Sequence, residues 1–387
     1  MTLLLIVIYI TFISLGLPDS LFGVAWPVAH NDFGLPESFG SIYTIVVAIM
    51  GGSVSFFAGP LIKKFGTGNV TAISVVLTAV SMLGIGFAPN IYVMMAFAVL
   101  AGLGSGAIDT GLNDFVSRKY KAIHMNWLHC FWGVGVTVSP LIMSSFLVSN
   151  DWQAGYRTVS YIQFGISLIV FLSLILWKKY DKKEEDVVVT EKEETSEVKI
   201  NPLRMKGVIV GIITLGAYCA VEFILGTWGA SYLVNTKDFS PANASLVISL
   251  YYGGIMLGRF LSGILSLKII DKYLIRGGIG VLTVGVIMLA LPWSICGYIA
   301  LPLIGIGCAP IFPSTLHAIP ERYGKEYSTH ITGYHMGGAY AIGFSLQVAF
   351  GYIATATTFT IMPYLLIGIA TIMCVCSEIV NKKTLKI

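Results

Sequence analysis

Charge is scarce in this sequence. Only 11% of its 387 residues are Asp, Glu, Lys or Arg, against about 25% in soluble domains. With 56% of residues hydrophobic, a water-facing fold would be left with an apolar surface, so a soluble globular domain is excluded. Cysteine is also sparse. The six (Cys130, Cys219, Cys296, Cys308, Cys374, Cys376) all fall inside apolar runs. Neither metal-ligand spacing nor a loop disulfide framework is present, and they read as small buried hydrophobes. There is no P-loop, no zinc-ligand pattern and no nucleophile elbow. ATP hydrolysis by this chain is therefore excluded, and an enzyme is not expected. The net charge of +4 is small, with no basic patch that would hold nucleic acid. The N-terminus lacks a basic leader, its apolar stretch is too long, and Pro18-Asp19 interrupts any cleavage site, so a retained first helix is expected rather than a signal peptide.

What the sequence has is long apolar runs. A helix crosses a bilayer with about 20 mostly apolar residues. Twelve such spans are predicted: 3–27, 38–59, 69–88, 91–117, 125–148, 157–178, 206–233, 242–266, 277–296, 298–318, 329–353 and 356–379. Between spans six and seven lies a highly charged stretch without apolar periodicity, 179–205, which reads as a solvated linker. The expected organisation is an all-α membrane protein with an N-terminal six-helix bundle over 1–178, a cytoplasmic linker over 179–205 and a C-terminal six-helix bundle over 206–387.

The cations orient the chain. Of 24 Lys and Arg, 21 fall in the loops on one side of this pattern. Arg157 and Lys237 fall on the other, and Arg259 lies within a span. Cytoplasmic loops carry the excess of Lys and Arg, so both termini and the linker are expected in the cytoplasm of a bacterial plasma membrane. A miscounted helix would scramble that separation. The halves also show faint self-similarity at an offset of 203: Asp19 and Gly23 against Glu222 and Gly226, and Gly102, Gly104 and Ile108 against Gly305, Gly307 and Ile311. With the central linker this points to duplicated halves, a common plan in secondary transporters. Gly102/Gly106, Gly207/Gly211 and Gly254/Gly258 have the spacing that lets helices approach closely.

Ionisable residues inside spans are the candidates for function, because each costs roughly 2.5–3.5 kcal/mol at a helix centre. They are Asp19, Asp109, Glu222 and Arg259. In span four, Gly102, Gly106, Asp109 and Asn113 share one face, a small polar stripe suited to a cavity wall. In span one, Phe12, Gly16, Asp19, Phe22, Gly23 and Trp26 make a second stripe that joins a carboxylate to aromatic faces. That combination suits a sugar: carboxylates and amides bond hydroxyls, and an aromatic ring covers the apolar ring face. Asn126, His129 and Trp228 are further candidate contacts, with His335 in a comparable place in span eleven. Tyr251-Tyr252 reads as packing. Asp114 sits i, i+4 from Arg118 and reads as a helix-end ion pair. Arg259 reads as a structural or gating ion pair.

Three segments resemble one known family. GLGSGAIDTGLNDFV (Gly102–Val116) is similar to the span-four signature of the fucose permease branch of the major facilitator superfamily. Asp109, Thr110, Asn113, Phe115 and Val116 match it, with Asp109 where the family usually has Glu. Asp19 stands where that branch has a membrane-embedded Asp. NWLHCFWGVGVTVSP (Asn126–Pro140) resembles the span-five motif of the same branch and of its animal glucose-transporter relatives. GPLIKKFGTG (Gly59–Gly68) resembles the superfamily's loop between spans two and three. It retains Gly59, Leu61, Lys64 and Gly66, but has Lys63 in place of the usual Asp and Thr67-Gly68 in place of a basic pair.

The resemblance implies a major facilitator fold and a proton-coupled sugar symporter, working by alternating access; a monomer is expected. It casts Asp19 and Asp109 in proton binding and substrate contact, and Lys64 in a gating loop. No cofactor is expected beyond the coupling ion. The alternatives are a sodium-coupled sugar carrier and a proton-driven exporter of drugs or other small molecules. A non-transporting sensor on the same fold ranks below these, since the linker and tail are short.

Overall fold

The computed structural model describes residues 2–120, 122–177 and 201–384. The side chains of Asp114, Arg118 and Asn126 lie outside what is described. So does residues 178–200, which holds most of the expected linker; of its end, Pro202–Arg204 forms a 3-10 turn. The described chain is almost entirely α-helical and contains twelve helices long and apolar enough to cross a membrane.

Each span forms for the reason the sequence supplies: inside a bilayer only a helix satisfies all its own backbone groups. Residues such as Leu3, Ile6, Leu168, Phe171, Leu172 and Ile175 are exposed on helices whose other faces are buried. In water this would be a large apolar surface; here it is the face offered to lipid. The chain is a multi-pass membrane protein of twelve spans.

Contacts divide the chain into two compact units. Unit 1 is Met1–Glu193 with Ser240–Ser249, and unit 2 is Glu194–Phe239 with Leu250–Ile387. The start of span eight thus groups with unit 1, where Ser245 and Ser249 donate to the carbonyls of Pro140 at 2.7 Å and Thr137 at 2.6 Å.

In unit 1, span one is two helices, Thr2–Asp19 and Leu21–Asp32. Pro18 has no N–H to give the turn before it, and the ladder breaks at Ser20. The Ser20 hydroxyl ties the break to span five through Val136 O at 3.0 Å and Ser139 Oγ at 2.8 Å. The interior of this unit packs Leu4, Ile8 and Phe12 against Ile108, Leu112, Phe115, Leu128 and Trp177. Span one runs five residues past its expected end, through Pro27 to Asp32, with Asn31 bonding the Pro27 carbonyl at 3.1 Å.

In unit 2, span nine lies six residues earlier than expected, at Asp271–Ala290. The apolar loop Leu291-Pro292-Trp293 inflated the hydropathy there, but Leu291 is extended (ψ 148°), as a residue before proline tends to be. Span ten is broken into Ile295–Cys308 and Ile311–His317, and a short helix, Ile319–Tyr323, follows its end.

Close approach explains the glycines. At Gly254 a Cβ would sit 2.3 Å from the Pro302 carbonyl, and at Gly258 2.6 Å from the Ala309 Cβ. Gly207 differs from its expected pairing: it caps span seven with φ +94°, a left-handed conformation that favours glycine.

Candidate functional site

The site in unit 1 begins with a helix crossing. Spans one and five meet where Gly16 faces Gly135: a Cβ on Gly16 would lie 2.3 Å from Trp132 O, and one on Gly135 would lie 2.1 Å from Ile13 O. Only two hydrogens fit there. One turn from Gly16 is Asp19, and one turn back from Gly135 is Trp132. The crossing therefore sets them side by side, and Trp132 Nε1 donates to Asp19 Oδ2 at 2.8 Å.

Asp19 is exposed although Gly16, Leu17 and Ser20 around it are buried. It lies about 24 Å along span one from Leu3, at 1.5 Å per residue, so it sits at hydrocarbon depth. Leu3 and Ile6 mark the lipid face of this span. At 3.6 residues per turn Asp19 points roughly 160° from Leu3 and roughly 140° from Ile6. Its open side thus faces away from lipid, which is where an intramembrane charge meets water. The Tyr43 hydroxyl lies within electrostatic reach of it. His129, half-buried, stands edge-on to Phe12 with ring centres 6.1 Å apart, on the same side of span one as Asp19.

The aromatic part of the span-one stripe has a different use from the expected one. Phe22 stacks on Tyr43 at 4.0 Å and 7°, and on Trp26 at 5.2 Å. Trp26 is fully buried, and its indole donates to Glu37 O at 2.7 Å. It offers no face to a solute, so its assignment as a substrate contact is corrected to packing. Trp228 is corrected likewise. It is fully buried, donates to Gln347 O at 2.9 Å and packs against Phe359.

The span-four stripe also divides. A Cβ on Gly102 would lie 2.5 Å from Val47 O, and one on Gly106 2.3 Å from Gly51 O. This part of the expected cavity wall is a seam with span two. Beyond the seam Asp109 is half-buried and paired to Asn113, whose Nδ2 donates to Asp109 O at 2.9 Å and Oδ1 at 2.8 Å. The Asn113 Oδ1 oxygen is buried without a donor. In the loop after span two, Gly66 takes φ +80°, which accounts for the glycine of that motif. Lys64 is exposed, with Nζ 5.1 Å over the Phe65 ring.

In unit 2 the acid is Glu222, half-buried on span seven. Glu222, Arg259 and the Cys308 thiol all lie within electrostatic reach of the buried Tyr218 hydroxyl. Tyr251 and Tyr252 are buried, with ring centres 5.0 Å apart, and pack as expected. His335 is buried, and its Nδ1 lies 2.9 Å from Ile331 O.

Sequence reasoning passed over three residues of these clusters: Trp132, Tyr43 and Tyr218. Trp132 had a signal, since a tryptophan one turn from a glycine in mid-span has a polar N–H to place. Tyr43 had none, because its neighbours come from another span; Tyr218 had one, since it lies one turn before Glu222 on span seven.

The family profile described as Major Facilitator Superfamily matches residues 8–348. Among curated proteins, the glucose/mannose transporter GlcP of Bacillus subtilis is 25% identical over 334 residues, covering 80% of this chain and 79% of that one. The inner membrane transport protein YdiN of Escherichia coli is 25% identical over 255 residues, covering 63% and 58%. Among solved structures, the nucleoside transporter NupG aligns with TM-score 0.73 at 12% identity, over 97% of this chain and 98% of that one. A bacterial homologue of the human lysosomal transporter Spinster aligns with TM-score 0.67 at 12% identity, over 99% and 95%.

Proposed function

The chain belongs to the Major Facilitator Superfamily and is a membrane transporter of small solutes rather than an enzyme; from that premise we propose that it is a proton-coupled symporter of a monosaccharide or related polar solute, working by alternating access. The observation that carries the reading is the Asp19 carboxylate. It is exposed at hydrocarbon depth, aimed away from the lipid face, and held by a neutral indole N–H at 2.8 Å.

A charge so placed resists being sealed from water, because burying a charged carboxylate is expensive. Protonation removes that penalty. A solute hydroxyl donating to the same carboxyl group replaces the water that is lost. The occupied, neutral carrier then interconverts between its two access states while the charged, empty one is held back. Asp109 is the second proton candidate. The Asn113 oxygen beside it lacks a donor, and a proton on Asp109 supplies one after a turn of the amide. His129, Asn113 and Asn126 are the candidate hydroxyl partners within unit 1, and Glu222 is the candidate within unit 2.

The sugar assignment is supported by the glucose/mannose relative and by the carboxylate-plus-amide chemistry of these residues. The test is uptake in proteoliposomes of radiolabelled glucose, mannose, galactose and fucose under an imposed proton gradient. Accumulation that follows the proton gradient and survives replacement of sodium by choline is expected. Accumulation that requires sodium, or no accumulation of any of the four sugars, would refute the reading.

A further inference from the structure

A second polar cluster lies in unit 2, at the end where span seven begins and span twelve ends, and it takes in His335 but none of Tyr218, Glu222 and Arg259. It surrounds a cavity of about 10 Å³ lined by Thr214, Thr315, Arg322, Tyr323, His335 and Ser377 among others. That is room for one particle the size of a water molecule or a monoatomic ion.

The lining is rich in hydroxyls and carries one guanidinium and no carboxylate. The Thr315 and Tyr323 hydroxyls are buried without a partner, and their residues are 5% and 6% exposed. Asn381, 2% exposed, stands behind this wall: its Oδ1 accepts from Arg322 Nη2 at 2.9 Å, and its side chain also reaches Glu378. Buried polar groups are nearly always bonded. Two orphaned hydroxyls on the cavity wall beside one guanidinium therefore ask for a shared occupant. Burial pushes the Tyr323 phenol up to about 12, so at neutral pH it keeps its proton and donates. His335 supplies one acceptor. Its Nδ1 faces the Ile331 carbonyl, which can only accept, so in the neutral ring Nδ1 carries the proton and Nε2 is bare.

The charge points the same way. Arg322 is half-buried, and that burial works against its charge. Two carboxylates act on it from a distance, Asp271 and Glu321. Asp271 is engaged by His317 at 2.8 Å, Glu321 is exposed, and the nearby Glu378 is clamped by Arg276 at 2.6 Å. Among the described residues none lies within ion-pair distance of Arg322. A half-buried cation with no carboxylate in contact is costly to hold charged. A water molecule would take two of these donors and bring no charge.

We propose that unit 2 binds a small inorganic anion of halide size in this cavity, held by the Arg322 guanidinium and the Thr315 and Tyr323 hydroxyls. The site stands whatever solute is carried. Its consequence is stability: it ties the short helix after span ten, through Arg322 and Asn381, to span twelve.

The experiment is thermal unfolding of the purified full chain in detergent, in sodium gluconate titrated with sodium chloride or bromide at constant ionic strength. The unfolding temperature should rise saturably with either halide. Arg322→Gln should abolish the rise. Thr315→Val and Tyr323→Phe should each raise the half-saturating halide concentration by roughly 10- to 100-fold, the loss expected for a hydrogen bond to a charged group. If Arg322→Gln does not fold, the two hydroxyl variants decide. Identical unfolding in gluconate and halide, the result for a cavity holding only water, would overturn the proposal. So would a halide response unchanged in the variants.

Discussion

Asp19 in span one and Glu222 in span seven stand at matching positions of the two halves, and their surroundings differ. Asp19 accepts from the neutral Trp132 indole and is exposed. Glu222 is half-buried, in a neighbourhood that contains the Arg259 guanidinium. A carboxylate held by a neutral donor keeps its full charge until a proton arrives. A carboxylate near a fixed cation is already compensated, and gains less from a proton. The same position thus holds a carboxylate beside a neutral indole in one half and a carboxylate with a guanidinium in its neighbourhood in the other.

The comparison can be broken at its strong side first. Asp19→Asn should lower proton-driven sugar accumulation by roughly 100-fold, the upper range for losing a bond to a charged group, while sugar counterflow without a gradient persists. A variant that still accumulates sugar would move coupling elsewhere. Next comes the crossing that places Asp19. Gly135→Val drives a branched side chain into the Ile13 carbonyl, and overpacking of this kind costs about 1–3 kcal/mol. A lowered unfolding temperature and weakened driven uptake should appear together. An unfolding temperature equal to that of the unaltered chain would show that the crossing tolerates bulk.

On the side of fixed charge, Arg259→Gln should be destabilising because it leaves Glu222 uncompensated, and adding Glu222→Gln should restore part of the loss. A coupling of about 0.5–3 kcal/mol in the double-mutant cycle is expected for such neighbours. Strict additivity of the two thermal shifts would separate the residues. The smallest effect belongs to Trp228→Phe. It removes one buried hydrogen bond, about 1 kcal/mol, and should lower the unfolding temperature slightly while leaving the sugar concentration at half-maximal uptake unchanged. A changed half-saturation would return Trp228 to the site.

Much of the fold was readable because hydropathy is a one-dimensional signal. Twelve apolar runs and a charged stretch are visible without knowing what touches what. The errors fall where a local cue misled: Leu291-Pro292-Trp293 is apolar but extended, and Pro27 lies inside a helix that continues past it. The acids were readable for the same reason, since a carboxylate in an apolar run stands out. Their surroundings were not. Periodicity places Gly102, Gly106 and Asp109 on one face of span four, yet it does not say that the glycines meet span two while Asp109 lies beyond the seam. Trp26 and Trp228 looked like stacking surfaces until their N–H groups were traced to backbone carbonyls. Trp132 was overlooked because its partner is 113 residues away.

The most direct measurement is paired fluxes in proteoliposomes containing the unaltered chain or Asp19→Asn. Internal pH and labelled glucose are followed after an imposed proton gradient, and exchange of labelled for unlabelled glucose is followed with no gradient. Loss of sugar-dependent alkalinisation and of accumulation in Asp19→Asn, with exchange retained, is the predicted result. Sugar-dependent proton movement of undiminished size in Asp19→Asn would contradict the assignment of the proton to this carboxylate.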